Sequence, residues 1–316
     1  MSFVATATCR PLLTVVLALS IAALAGVVAC DGGPPPNVAG VDTAAASSGA
    51  AAPGSRKSAV IAIEPRRAGV RQFPLPIVDG RIGDKPVKLV ISTGAATHVI
   101  DRSLGVDANA KISVEGWADV PAHAAEIADL PPHVKSHGIG GILSPQLLVE
   151  QGQAVVVDLV NKQMRLRPKT MAWSEVGDLG AKMTVAGQGR ACATEAGQLL
   201  VVDTQIEGVA QKLALDTGAS RTILLEGTPA AAKAAAHDVL GRSVAPGVRG
   251  NVATPLHGGV PITAGSWSTT VDMGIAPGER HPQCGHEGHI GVDVLAYCAL
   301  AIAADDVLVA CRKPGE

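Results

Sequence analysis

Apolar positions along the chain fall into three regimes. The first is the run LLTVVLALSIAALAGVVA, residues 12–29, which follows Arg10 and Pro11 and stops at Cys30. At about 18 residues it is marginal for a membrane span, and it ends in small residues before the cysteine, which predicts an export signal over 1–29. The second regime, DGGPPPNVAGVDTAAASSGAAAPGSRKS at residues 31–58, offers almost nothing to bury; with Cys30 it predicts a disordered tether over 30–58. From residue 59 onward, short apolar runs such as LVVDTQI and KLALD alternate with Gly and Pro breaks and predict β-strands. Two stretches read as short helices, VDVLAY at 292–297 and AAAKAAAH at 230–237. The predicted class is mostly β.

The strand-like regime repeats itself. At an offset of 216 − 92 = 124, LPIVDGRIGDKPVKLVISTGAATHVI from Leu75 lies without a gap on LLVVDTQIEGVAQKLALDTGASRTIL from Leu199. Further on, GILSPQLL at 141–148 lies on GHIGVDVL at 288–295, and each is followed by a strand-like run with an aspartate, AVVVDLVNKQMRLR and LAIAADDVLVACR. This order of features, met twice, predicts an internal duplication: a first lobe over 59–170, a linker over 171–190 and a second lobe over 191–313.

Composition narrows the picture. The chain has 316 residues, 47% hydrophobic, 17% charged and 2% aromatic, enough for one large domain or two small ones. Its 26 basic and 28 acidic residues give a formal charge of -2, so no strong field recruits nucleic acid. Export lets thiols pair. Cys9 leaves with the signal and Cys30 stands at the signal's end, leaving Cys192, Cys284, Cys298 and Cys311 in the strand-like regime. In CALAIAADDVLVAC the sum 298 + 311 equals 304 + 305, so Cys298 and Cys311 face each other across a predicted hairpin centred on Ala304 and Asp305. Cys192 and Cys284 then pair by elimination.

The motifs carry a resemblance. VVAC, Val27 to Cys30, resembles a bacterial lipobox, which implies a mature chain beginning at an acylated Cys30 and anchored to the cell envelope. LALDTGAS, Leu213 to Ser220, followed by HIGVDVL from His289, resembles the active-site turn and later glycine turn of retropepsin-like and pepsin-like aspartic peptidases, and the likeness extends over both copies. It implies a two-lobed acid-protease fold built from two retropepsin-like β-barrels, no cofactor or metal, a monomer, and an extended peptide or protein as partner.

In such enzymes two carboxylates a few ångströms apart cannot both ionise; they share a proton, one activating water and the other protonating the substrate carbonyl. By resemblance Asp216 is one acid, Gly218 permits its turn, Thr217 fastens the lobes, Ser220 supports the carboxylate and Gly291 forms the later turn. The first copy keeps Thr93, Gly94 and Ala95 but has Ser92 for the acid, Ala96 for the serine and Ser144 for Gly291. The turn is retained and the second acid is lost. Asp101, close by in sequence, is expected to point elsewhere.

The expected function is therefore an exported, membrane-anchored, aspartic-peptidase-like protein with impaired or repurposed peptide hydrolysis. Two alternatives stay open: an active endopeptidase using Asp216, completed by an intermolecular Asp216 pair as in dimeric retropepsins, and a non-catalytic peptide-binding module. HPQCGHEGH offers His281, Cys284, His286 and His289 as metal-ligand types, but an oxidised Cys284 cannot serve as a thiolate, so no metal is expected. Trp117 and Trp267 lie where such enzymes carry a closing hairpin, as cleft lining or as core, and Tyr297, the only tyrosine, follows Gly291.

Overall fold

The structure, a computed structural model, describes residues 61–62, 64–65, 75–106, 110–114, 117, 125–178, 184–247 and 250–312. The signal, Cys30 and the tether lie outside the described residues. Among the described residues the fold is mostly β, with one seven-stranded and one thirteen-stranded sheet. Among the described residues no helix is long and apolar enough to cross a membrane.

Each copy opens with an antiparallel hairpin. In the first, Pro76–Ile82 pairs with Lys85–Ile91. In the second, Gly197–Ile206 pairs with Val209–Leu215. From Val202 to Ile206 the residues alternate between buried Val202, Thr204 and Ile206 and exposed Asp203 and Gln205, the period of a sheet with one face on the core.

The duplication is written into the register of the strands. Ile91 partners Leu143 in a parallel pair, and Leu215 partners Ile290 in the same way, so equivalent positions differ by 215 − 91 = 124 before the turn and by 290 − 143 = 147 after it. The next strand returns antiparallel in both, with Val99 opposite Ile142 and Ile223 opposite His289. It also takes a parallel partner in both, Glu126 for Val99 and Gly274 for Ile223. The difference, 147 − 124 = 23 residues, falls in the interval that holds the long hairpin of Val239–Gly247 with Gly250–Ala264.

The C-terminal hairpins of the two copies then join edge to edge. Gln153–Asp158 pairs with Gln163–Pro168, Cys298–Ile302 pairs with Asp306–Cys311, and Val156 and Val157 stand opposite Ala301 and Leu300. Helix Lys169–Gly177 covers one face of this joint, burying Ala172 and Val176 in a cluster with Ala154, Val156, Ala299 and Ala301. The stretch taken as a linker, 171–190, is thus largely regular structure: helix to Gly177, then strand from Thr184 that pairs with both Asp306–Cys311 and Gly197–Ile206. Packed on the joint, this stretch buries Ala172 and Val176, which the sequence reading left unassigned.

Leu89 and Ile91 share one buried cluster with Leu213 and Leu215, so a single core runs beneath both turns. Both short helices form, as Pro229–Ala234 behind an N-cap from Thr228 and as Val292–Leu295. Cys298 stands directly opposite Cys311 and is bonded to it; Cys192 is bonded to Cys284. Two disulfides fit an oxidising, exported environment.

Candidate active site

The strands Lys85–Ile91 and Val209–Leu215 deliver their turns to one place. Ser92 N–H donates to the Leu143 carbonyl at 3.0 Å and Asp216 N–H to the Ile290 carbonyl at 2.9 Å, so each turn hangs from its own glycine strand in the same way. The two turns are then cross-fastened. The Thr93 hydroxyl donates to the Leu215 carbonyl at 2.8 Å and accepts from Thr217 N–H at 3.1 Å. Reciprocally, the Thr217 hydroxyl donates to the Ile91 carbonyl at 2.7 Å and accepts from Thr93 N–H at 3.1 Å. Both threonines are fully buried, where an unpaired polar group costs most.

Above this net Ser92 meets Asp216. The Ser92 hydroxyl donates to Asp216 Oδ1 at 2.9 Å, and Gly218 N–H donates to the same oxygen at 2.8 Å. Ser92 is 6% exposed and Asp216 half-buried. Gly94 and Gly218 were expected to serve the turns through backbone freedom, but neither has a positive φ. Their need is room. A Cβ on Gly94 would sit 2.2 Å from Asp216 Cγ, and one on Gly218 would sit 2.5 Å from Ser92 Oγ. Each glycine thus makes way for the side chain of the opposite copy.

Ser220 corrects another expectation. Among the described residues no hydrogen bond joins it to Asp216, whose Oδ1 accepts from Ser92 and Gly218 instead. Gly291 is packed against the turn of its own copy: a Cβ there would lie 2.4 Å from the Arg221 backbone, while its N–H donates to the Thr222 hydroxyl at 3.1 Å. Asp293 accepts from Thr222 N–H and its hydroxyl at 2.9 and 2.8 Å, and burial raises its carboxyl above the usual range despite those bonds.

The first copy rebuilds that support with other residues. His98 occupies the position of Thr222, and its Nδ1 accepts from Ser144 N–H at 3.0 Å; burial lowers its pKa to about 4. Gln146 replaces Asp293. Its Nε2 reaches the carbonyls of Thr93 at 3.2 Å, Ala95 at 2.7 Å and Gln198 at 2.9 Å, tying the Ser92 turn to the start of the second copy. Sequence reading missed both residues; the signal was present in the alignment at offsets 124 and 147, since His98 and Gln146 fall on Thr222 and Asp293.

Among the described residues no other acid pairs with Asp216 in the place of Ser92. Asp101 is 2% exposed and accepts from the Ser103 hydroxyl at 2.5 Å and from the N–H groups of Ser103 and Leu130, with Lys135 at 3.5 Å. Burial works to raise its pKa, and those bonds together with Lys135 hold it below the ordinary value. Cys284 is in its disulfide, His281 and His286 stack at 5.0 Å, and no group of three or more metal-ligand types is poised for an ion among the described residues. Trp267 is core, 2% exposed, with its indole N–H on the Arg312 carbonyl at 3.4 Å. Trp117 and Tyr297 are half-buried, Trp117 against the core.

A hollow of about 510 Å³ lies elsewhere, on the outer face of the second-copy hairpin, and neither Ser92 nor Asp216 lines it. Its Arg280 lies 3.6 Å from Glu287, and Gln211 donates to Glu287 at 2.8 Å, so these polar groups answer one another. No protein-family model matches this chain, and a search of curated proteins returns no significant match.

Proposed function

We propose that the chain is an exported, membrane-anchored protein of aspartic-peptidase type, whose site between the two turns holds an extended peptide and whose hydrolysis is impaired or repurposed. The observation that carries this reading is the 2.9 Å bond from Ser92 to Asp216 above the reciprocal threonine net. An acid dyad needs one carboxylate to take a proton from water and a second group to give one to the carbonyl oxygen. Asp216 can do the first through its free oxygen. Ser92 cannot do the second, because an alcohol is a far weaker acid and its only proton already lies on Asp216. The loss of one general acid is worth about 10²- to 10⁴-fold in rate.

An intermolecular Asp216 pair is disfavoured by the same geometry. Forming it would mean breaking the four hydrogen bonds by which Thr93 and Thr217 join the two turns within the chain, and the linked first copy always stands at high effective concentration. The anchor is read from the lipobox-like ending at Cys30, and the two disulfides support export.

Digestion of a peptide library by the full-length chain and its Asp216→Asn form tests the reading. Feeble cleavage lost in Asp216→Asn is expected. Robust wild-type cleavage that Asp216→Asn abolishes would contradict the impaired site.

A further inference from the structure

The hydrogen-bonding polarity of the site differs from that of an acid pair. An acid pair offers a donor and an acceptor, so it can grip a carbonyl oxygen. Here several donors at the centre are spent: the Ser92 and Gly218 protons on Asp216, the threonine hydroxyls on backbone carbonyls, and the N–H groups of Ser92 and Asp216 on Leu143 and Ile290. The acceptors are not all engaged. Asp216 Oδ2 receives no hydrogen bond from any described residue, no described lysine, arginine or histidine pairs with it, and it is not among the buried unpartnered atoms. Ser92 Oγ keeps its lone pairs.

A half-buried, unpaired carboxylate beside a hydroxyl whose proton points away attracts a cationic donor and repels a carbonyl. We propose that the site between the turns recognises an ammonium or guanidinium group on an extended peptide, a lysine or arginine side chain or a free N-terminus, at Asp216 Oδ2. This rests on the reading that the site holds a peptide, and it identifies the chemical class of that ligand. The substitution that removed the general acid also removed the like charge that would have placed a shared proton on the pair.

The test uses the full-length chain and end-blocked peptides differing only in Lys against Nε-acetyl-lysine, or Arg against citrulline, with binding followed by calorimetry. The cationic member of each pair is expected to bind about tenfold tighter, in keeping with a charge-assisted bond, and the preference should shrink as salt is raised. Asp216→Asn keeps an acceptor oxygen for Ser92 and Gly218 yet should abolish the preference. Equal affinity within each pair, or a preference untouched by Asp216→Asn, would overturn the inference while leaving peptide binding intact. Failure of every peptide to bind would overturn the underlying reading as well.

Discussion

Ser92 and Asp216 face each other across the two copies, 124 positions apart, the hydroxyl of one donating to Oδ1 of the other at 2.9 Å. The opposed glycines keep this meeting place open: Gly218 leaves room for the side chain at 92, as Gly94 does for the carboxylate at 216. The meeting place therefore has room for the side chain at position 92 beside the carboxylate.

The threonine net is the first point of test. Thr217→Ala would leave Thr93 N–H and the Ile91 carbonyl unpaired in a buried place. Each orphaned group costs about 1–3 kcal/mol, so a loss of about 2–4 kcal/mol is expected in urea unfolding at unchanged m-value. Thr93→Ala should lose a similar amount, and the double variant less than the sum, since the two residues share partners.

His98 gives the fold a pH dependence. The unfolded chain takes up this proton near pH 6.5 and the folded chain only near pH 4, so unfolding is accompanied by proton uptake between those values and stability falls as pH falls through that window. The shift corresponds to about 3 kcal/mol at its full extent. His98→Thr, which installs the second copy's solution at Thr222, should flatten the stability profile between pH 6.5 and pH 4 relative to wild type. A profile of unchanged slope would sink this account.

The disulfides should differ in accessibility. Cys298 and Cys311 are 0% and 1% exposed, whereas Cys192 is half-buried. Mild reductant under native conditions should open Cys192–Cys284 first, with Cys298–Cys311 surviving until the fold is loosened. Timed alkylation and peptide mapping would check the order.

The duplication and the hairpin Cys298–Cys311 were legible in the sequence because both rest on spacing, and the strands hold those spacings as register. The support of Asp216 from within its own copy was not. Ser220 looked like its support by resemblance, whereas the serine that reaches Oδ1 comes from the other copy, a contact that only the joined turns define. The buried replacements His98 and Gln146 were hidden for a related reason: a histidine standing in for threonine as acceptor, and an amide standing in for a carboxylate, preserve a function that residue identity conceals. The helix over Lys169–Gly177 escaped notice because its two buried positions, Ala172 and Val176, leave too slight an apolar pattern.

The most direct measurement is cleavage of an unfolded protein by wild type, Ser92→Asp and Ser92→Asp with Ala96→Ser, between about pH 3 and pH 7, where acid pairs titrate, with unfolding followed in parallel at each pH. Ser92→Asp restores the like-charge pair in space that Gly218 has kept open, and a gain of about 10²-fold or more with an acidic optimum is expected. Ala96→Ser should add nothing, because its counterpart Ser220 makes no bond to Asp216. Wild-type cleavage as fast as that of a folded Ser92→Asp protein would contradict the claim that Ser92 is what silences the site.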